Sequence, residues 1–233
     1  MRVSPRVIKM IKDVYRRVLP ISIRQSSLLV KLKNHLYWHD MIYDLDYYNS
    51  DVEDPAVRSA GTISDSILTE FKPKHIVEVG CGTGALLEAL RNRGCDVFGL
   101  DYSEAALMLC RARHLNVVKF DLERDILKDD RIFDVGVSME VAEHLPERVA
   151  DRYVDFLTSL SKVIVFTAAP PGQGGSDHVN EQPPSYWISK FQQRGFEHSD
   201  GLSKRWRGRW QTAGDVASCY YRNLMVFRQT QQF

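Results

Sequence analysis

The sequence has no apolar run approaching the roughly 18 residues that a membrane-spanning helix needs. Its first residues lack an apolar core followed by a small-residue cleavage site, so no secretory signal is expected. Its four cysteines, Cys81, Cys95, Cys110 and Cys219, are scattered and form no C-x-x-C pair. That spacing argues against a zinc ribbon or a disulfide framework and for thiols in a reducing compartment. The chain has almost no net charge: 31 basic residues face 30 acidic ones, a formal +1. No global field therefore draws it to nucleic acid or acidic lipid. Internal repeats and low-complexity tracts are missing too. A cytoplasmic location is the expectation. What remains is 233 residues, 44% hydrophobic, enough for one well-packed α/β domain and a small appendage.

Residues 76–84 read IVEVGCGTG. Ile76, Val77 and Val79 give the apolar run of a buried strand. Gly80, Gly82 and Gly84 follow at every second position, and glycine lets backbone approach a ligand with no Cβ in the way. Ala85 to Leu90 are strong helix formers. The unit is strand, glycine turn, helix, as in nucleotide-binding α/β folds. Glu78 sits two positions before the first glycine. Asp101 ends the next apolar run, Val97 to Leu100, where a neighbouring parallel strand offers a carboxylate to ribose hydroxyls.

The G-x-G-x-G spacing departs from the dinucleotide pattern, and with this motif set the chain resembles class I S-adenosylmethionine (SAM)-dependent methyltransferases over roughly residues 55–228. The resemblance implies a doubly wound, seven-stranded, mostly parallel sheet. It further implies SAM held by Glu78, Gly80, Cys81, Gly82, Gly84, Asp101, Tyr102, Asp121, Leu122 and Met139, with Asp121 at the place that meets the adenine amine.

The chain divides into a helical N-terminal extension over 1–54 and a methyltransferase domain over 55–233. Residues 1–38 carry Arg2, Arg6, Lys9, Lys12, Arg16 and Arg17 beside apolar residues at helical spacing. Such a helix suits either an anionic membrane surface or packing on the domain with its basic face solvated. An acidic, aromatic patch follows, from Trp38 and Asp40 to Asp54; the resemblance implies a lid over the cofactor here with Tyr47 or Tyr48 facing the site, and simple packing of these aromatics is the alternative. Asp54-Pro55 reads as an N-cap and first-turn proline of a helix to about Phe71, with Ile63, Ile67 and Leu68 inward. Ser103 caps a helix through Arg113, and strands are expected at 117–120, 132–138 and 163–167. Helices are expected over 146–161 and from Pro183-Pro184 to about Arg194. Residues 201–214 give no clear signal, and 220–226 read as a late antiparallel strand.

A second constellation follows the fourth strand: Glu140, Glu143 and His144, at i, i+3 and i+4 of a helical turn. His178 follows the fifth strand and is in reach of the others if the two strands are neighbours. Carboxylates and imidazoles crowded at one sheet edge are costly unless a divalent cation offsets them. The Glu-x-x-Glu-His pattern with a downstream His is similar to the metal site of small-RNA 3′-terminal 2′-O-methyltransferases and of ubiquinone-pathway catechol O-methyltransferases. This implies Glu140, Glu143, His144 and His178 as ligands of Mg²⁺, or of Mn²⁺ or Co²⁺. Two other readings stay open. His144 or His178 acts as a metal-free catalytic base, or the cluster is structural. Residues 169–187 resemble methyltransferases of glycan and secondary-metabolite pathways. They imply O-methylation of a small polyhydroxylated acceptor, with Gln173, Asp177, Asn180 and Gln182 as polar edges and Trp187 as an aromatic face. Two alternatives are an RNA 3′-terminal 2′-O-methyltransferase, suggested by the basic and aromatic run Lys204 to Trp210, and a non-catalytic SAM-binding scaffold.

Overall fold

Among the described residues seven strands pair side by side into one sheet, and the order in which they pair decides where a ligand can bind. The computed structural model describes residues 43–127 and 131–230. The basic arm expected over 1–38, with Trp38 and Asp40, lies outside the described residues. In chain order the strands are β1 (His75–Val79), β2 (Asp96–Asp101), β3 (Val117–Lys119), β4 (Val135–Met139), β5 (Val163–Thr167), β6 (Phe196–His198) and β7 (Met225–Gln229). They lie in the order β3-β2-β1-β4-β5-β7-β6. Pairing is parallel throughout except at β7, which runs antiparallel to both of its neighbours. The chain winds outward from β1 through β2 to β3, then restarts on the other side at β4. The carboxyl ends of β1 and β4 therefore flank a switch point, where open α/β sheets bind ligands.

Helices cover both faces: α1 (Glu53–Phe71), α2 (Ala85–Arg91), α3 (Glu104–Ala112), α4 (Ala150–Leu160), α5 (Pro184–Gln192), α6 (Asp200–Ala213) and α7 (Ser218–Asn223). Strand alternation sends side chains to two cores. Ile76, Val97, Val135, Val137 and Val165 pack under α1, α2 and α6 with Ile67, Leu87, Trp206 and Trp210. Val77, Val79, Phe98, Ile164 and Phe166 pack under α4 and α5 with Tyr153, Leu157, Trp187 and Phe191. No helix among the described residues is long and apolar enough to cross a membrane.

Four local expectations are corrected. Asp54 does not cap α1. The chain enters through one helical turn, Leu45–Tyr47, and a π-helical turn, Tyr48–Val52, with Asp44 as the capping side chain. Asp54, already inside the helix, pairs with Arg58. The fourth strand starts at Val135, not Ile132. Ile132 is 64% exposed, and the Asp134 carboxylate accepts the Lys74 and His75 amides just before Ile76 and Val135 come into register. Residues 220–223 are helical, and the antiparallel strand begins at Met225, opposite Phe166.

The fourth correction concerns 200–213, a continuous helix. Leu202, Trp206 and Trp210 recur every fourth residue and are all buried, while Arg205 and Arg209 point outward. Trp210 is fully buried and its indole N–H donates to Ser66 Oγ at 2.9 Å. The basic and aromatic run thus offers no stacking platform for bases: its tryptophans are core. Replacing Trp210 with Ala is expected to cost about 3–5 kcal/mol. Ser66→Ala, which orphans the indole donor, is expected to cost about 1–3 kcal/mol. Urea denaturation of both variants checks this, and a loss below about 1 kcal/mol for Trp210→Ala contradicts the docking of α6.

Candidate active site

The glycine turn between β1 and α2 is fixed by its neighbour strand before any ligand arrives. The Gly80 and Cys81 amides both donate to the Leu100 carbonyl, at 2.7 and 3.1 Å. Asp101, one residue on, accepts the Gly82 amide at 2.8 Å with one carboxylate oxygen and the Ser103 amide at 2.8 Å with the other. All three glycines have positive φ, 74°, 51° and 78°. Their uses differ. A Cβ on Gly80 would strike the Val141 side chain, and one on Gly84 would lie 2.8 Å from Cys110 Sγ. A Cβ on Gly82 would meet only Tyr48 and Val52 atoms, at 3.8 and 3.7 Å.

The turn opens on a cavity of about 450 Å³. Of the residues expected from the sequence to hold cofactor or metal, all but Gly84 line it. Gly84 serves packing, by letting α3 approach. Asp121 ends the β3 region, and its carboxylate accepts the Glu123 amide at 2.9 Å. Both Tyr47 and Tyr48 line the cavity, as does Tyr43.

The second constellation is built differently from the expected helical turn. Glu140 directly follows β4 with φ +53°, and only Ala142–His144 form a short 3₁₀ turn. Glu143, His144 and His178 converge, each offering a ligand atom within 4.8 Å of the others. Glu140 stands outside that group of three. Its two oxygens accept Gln173 Nε2 at 2.7 Å and Asn223 Nδ2 at 3.0 Å. β4 and β5 are adjacent, and the Glu143 carbonyl accepts the Val179 and Asn180 amides at 2.8 and 3.0 Å, which draws the His178 loop across. His178 Nδ1 lies 2.9 Å from Glu181 Oε1, so Nε2 is the nitrogen turned to the group. The two histidine rings meet edge to face at 5.0 Å.

Burial sets the electrostatics. Glu143 is 0% exposed, and among the described residues neither carboxylate oxygen has a partner in hydrogen-bond geometry, although its own amide, that of Ala169 and the Glu140 carboxyl approach. Burial, and then the nearby Glu140, hold its carboxyl well above the usual range. Glu78 is raised chiefly by burial as well, and one of its oxygens is unpaired. Burial lifts Asp101 to about 6 against the three amides that favour its ionised form.

The polar acceptor surface expected from 169–187 is only partly present. Trp187 is 1% exposed and packs on Phe166, so its face is core. Asn180 is buried and bonded to Gln182, and Gln173 is committed to Glu140 and Asn223. Two contributors were not anticipated. Tyr43 reaches His144, 101 positions away, with no local signal to announce it. Glu181 orients His178 from three residues on, a spacing that was visible.

Residues 77–164 match the family model described as a methyltransferase domain. The ubiquinone biosynthesis O-methyltransferase of Coxiella burnetii (strain Dugway 5J108-111) is 38% identical over 82 residues, 33% of this chain and 35% of that protein. The chain thus spans about a third of the length of that relative. DesVI of Streptomyces venezuelae superposes with a TM-score of 0.58 at 16% identity, over 79% of this chain and 96% of that one. The magnesium protoporphyrin IX methyltransferase ChlM of Synechocystis PCC 6803, solved with SAM, superposes with a TM-score of 0.57 at 13% identity, over 99% and 100%.

Because Asp101 binds its proton more tightly folded than unfolded, it favours the folded state as pH falls. The stability of the ligand-free protein is expected to rise from about pH 6 toward pH 4 by up to about 3 kcal/mol through this group. Asp101→Asn is expected to flatten that part of the curve. Denaturant titrations of both proteins across the window measure the difference, and superimposable slopes contradict it.

Proposed function

We propose that this chain is a class I SAM-dependent methyltransferase that binds SAM in the 450 Å³ cavity and methylates a hydroxyl of a small polyhydroxylated acceptor. The observation that carries this reading is that the glycine turn and the Glu143, His144 and His178 group open on one cavity. The O-methyltransferase names of the curated relatives support oxygen as the acceptor atom.

The residues divide the work. The bare backbone of Gly80 to Gly82 admits the cofactor, and Asp101 stands beside it for the ribose hydroxyls. The methyl of a sulfonium is already electrophilic, so catalysis is mainly positioning the attacking oxygen in line and excluding water. Residues of 43–52 and of the loop 173–175 line the cavity and cover part of it. His144 or His178 takes the hydroxyl proton as oxygen attacks.

The donor set fits a divalent cation, because Glu143 places two partnerless oxygens beside two imidazoles. Glu143, His144 and His178 would hold it, with Glu140 at the rim. Such an ion supplies a lowered acidity constant for a chelated hydroxyl; carboxylates favour magnesium, and imidazoles admit manganese or cobalt.

Isothermal calorimetry with SAM is expected to show binding to the wild type and none to Gly82→Arg. Equal heats for the two, or none for the wild type, overturn the cofactor assignment. A labelled-SAM screen over sugars, catechols and short RNA 3′ ends is expected to label a small hydroxylated acceptor. EDTA is expected to stop turnover, and Mg²⁺, Mn²⁺ or Co²⁺ to restore it. Full turnover in excess EDTA removes the metal and leaves the base. Label in RNA alone overturns the acceptor class.

A further inference from the structure

Tyr43 stands between two groups that decide which nitrogen of His144 does the chemistry. Its hydroxyl donates to Asp177 Oδ2 at 3.2 Å and lies 3.0 Å from His144 Nδ1. Its ring packs edge to face on the imidazole, with centroids 5.7 Å apart. Its backbone carbonyl accepts the Ser103 hydroxyl at 2.7 Å, which fixes the residue at the start of α3. Asp177 is fully buried, and its Oδ2 is the acceptor for the phenol's hydrogen.

A phenol has one hydrogen. With that hydrogen on Asp177, the phenol oxygen faces His144 as an acceptor, and the hydrogen between them must come from the ring. An ordinary phenol is neutral near pH 7 and keeps its hydrogen.

We propose that Tyr43 is a positioning residue: with Asp177 it fixes neutral His144 as the Nδ1–H tautomer and directs the ring's lone pair, on Nε2, to the reaction. The chain of donors runs His144 Nδ1–H to Tyr43 oxygen, and Tyr43 O–H to Asp177. In catalytic and metal-bound histidines generally, the partner of one nitrogen sets the role of the other. A phenol is an uncommon choice for that partner, and this one arrives from outside the sheet, on the segment that walls the cavity. The wall and the orientation of His144 are therefore one device. When residues 43–52 are seated, the base or ligand is set.

This inference rests on the reading of His144 as base or ligand, but its test needs neither turnover nor metal. Long-range ¹H–¹⁵N correlation spectra of the full chain with ¹⁵N-labelled histidine distinguish the tautomers directly. The His144 signals are identified as those lost in His144→Gln. The expected result, in buffer at a pH where the ring is neutral, is the Nδ1–H pattern in the wild type and a reduced Nδ1–H population in Tyr43→Phe. An Nε2–H pattern in the wild type overturns the proposal, as does an unchanged pattern in a folded Tyr43→Phe. Should that variant not fold, the wild-type pattern alone decides. The calorimetric SAM result is read separately, so loss of the tautomer assignment and loss of the cofactor assignment are distinct outcomes.

Discussion

The structure depends on one strand end holding a turn that has little to hold itself. Gly80, Gly82 and Gly84 all sit at positive φ, where backbone gains no support from side chains. What fixes them is the end of β2: the Leu100 carbonyl takes two amides of the turn, and the Asp101 carboxylate takes a third. The same carboxylate takes the Ser103 amide and so starts α3. One residue thus sets the turn, the entry of the following helix and the carboxylate offered to a ligand. Its burial raises its proton affinity, and the amides only partly offset this. The turn is preorganised by hydrogen bonds that a ligand has no need to create.

The other end of the cavity follows the same logic with a different debt. Glu143 is held by its backbone, through the Val179 and Asn180 amides, while its side chain is buried with no partner in hydrogen-bond geometry among the described residues. A buried carboxylate without partners is expensive to ionise. The adjoining polar groups do not relieve it. Glu140 adds like charge, and its own oxygens accept Gln173 and Asn223. The imidazoles of His144 and His178 are the nearest groups able to share its charge, directly or through a cation.

Much of this was legible before the fold was known, because the signals were local. The strand, glycine turn and helix at 76–90, the Ser103 cap, and strand 163–167 were each written in consecutive residues. The convergence of Glu143, His144 and His178 followed once strands four and five were taken as neighbours. The failures were of two kinds. In 200–213 a period-four stripe of Leu202, Trp206 and Trp210 was masked by arginines, lysine and two glycines, so a packed helix looked like a ligand surface. In Glu140, spacing was read as helical although the residue directly follows β4 in a left-handed conformation. Tyr43 is a third case: its partners are 101 and 134 positions away, and no periodicity encodes that.

The two ends of the cavity share a sign of charge, and this bears on the proposed reaction. Glu78, Asp101, Glu140 and Glu143 all line it, with burial opposing ionisation at Glu78, Asp101 and Glu143. A cationic sulfonium entering this space makes each ionised carboxylate less costly, so charge favours SAM in the proposed reaction. Methyl transfer turns the sulfonium into a neutral thioether. The product then loses the electrostatic part of its binding while keeping the contacts to backbone and ribose. A cavity that is acidic where the methyl group leaves thus favours exchange of spent cofactor for fresh. The cost of keeping those carboxylates buried in the empty protein is what makes that discrimination available.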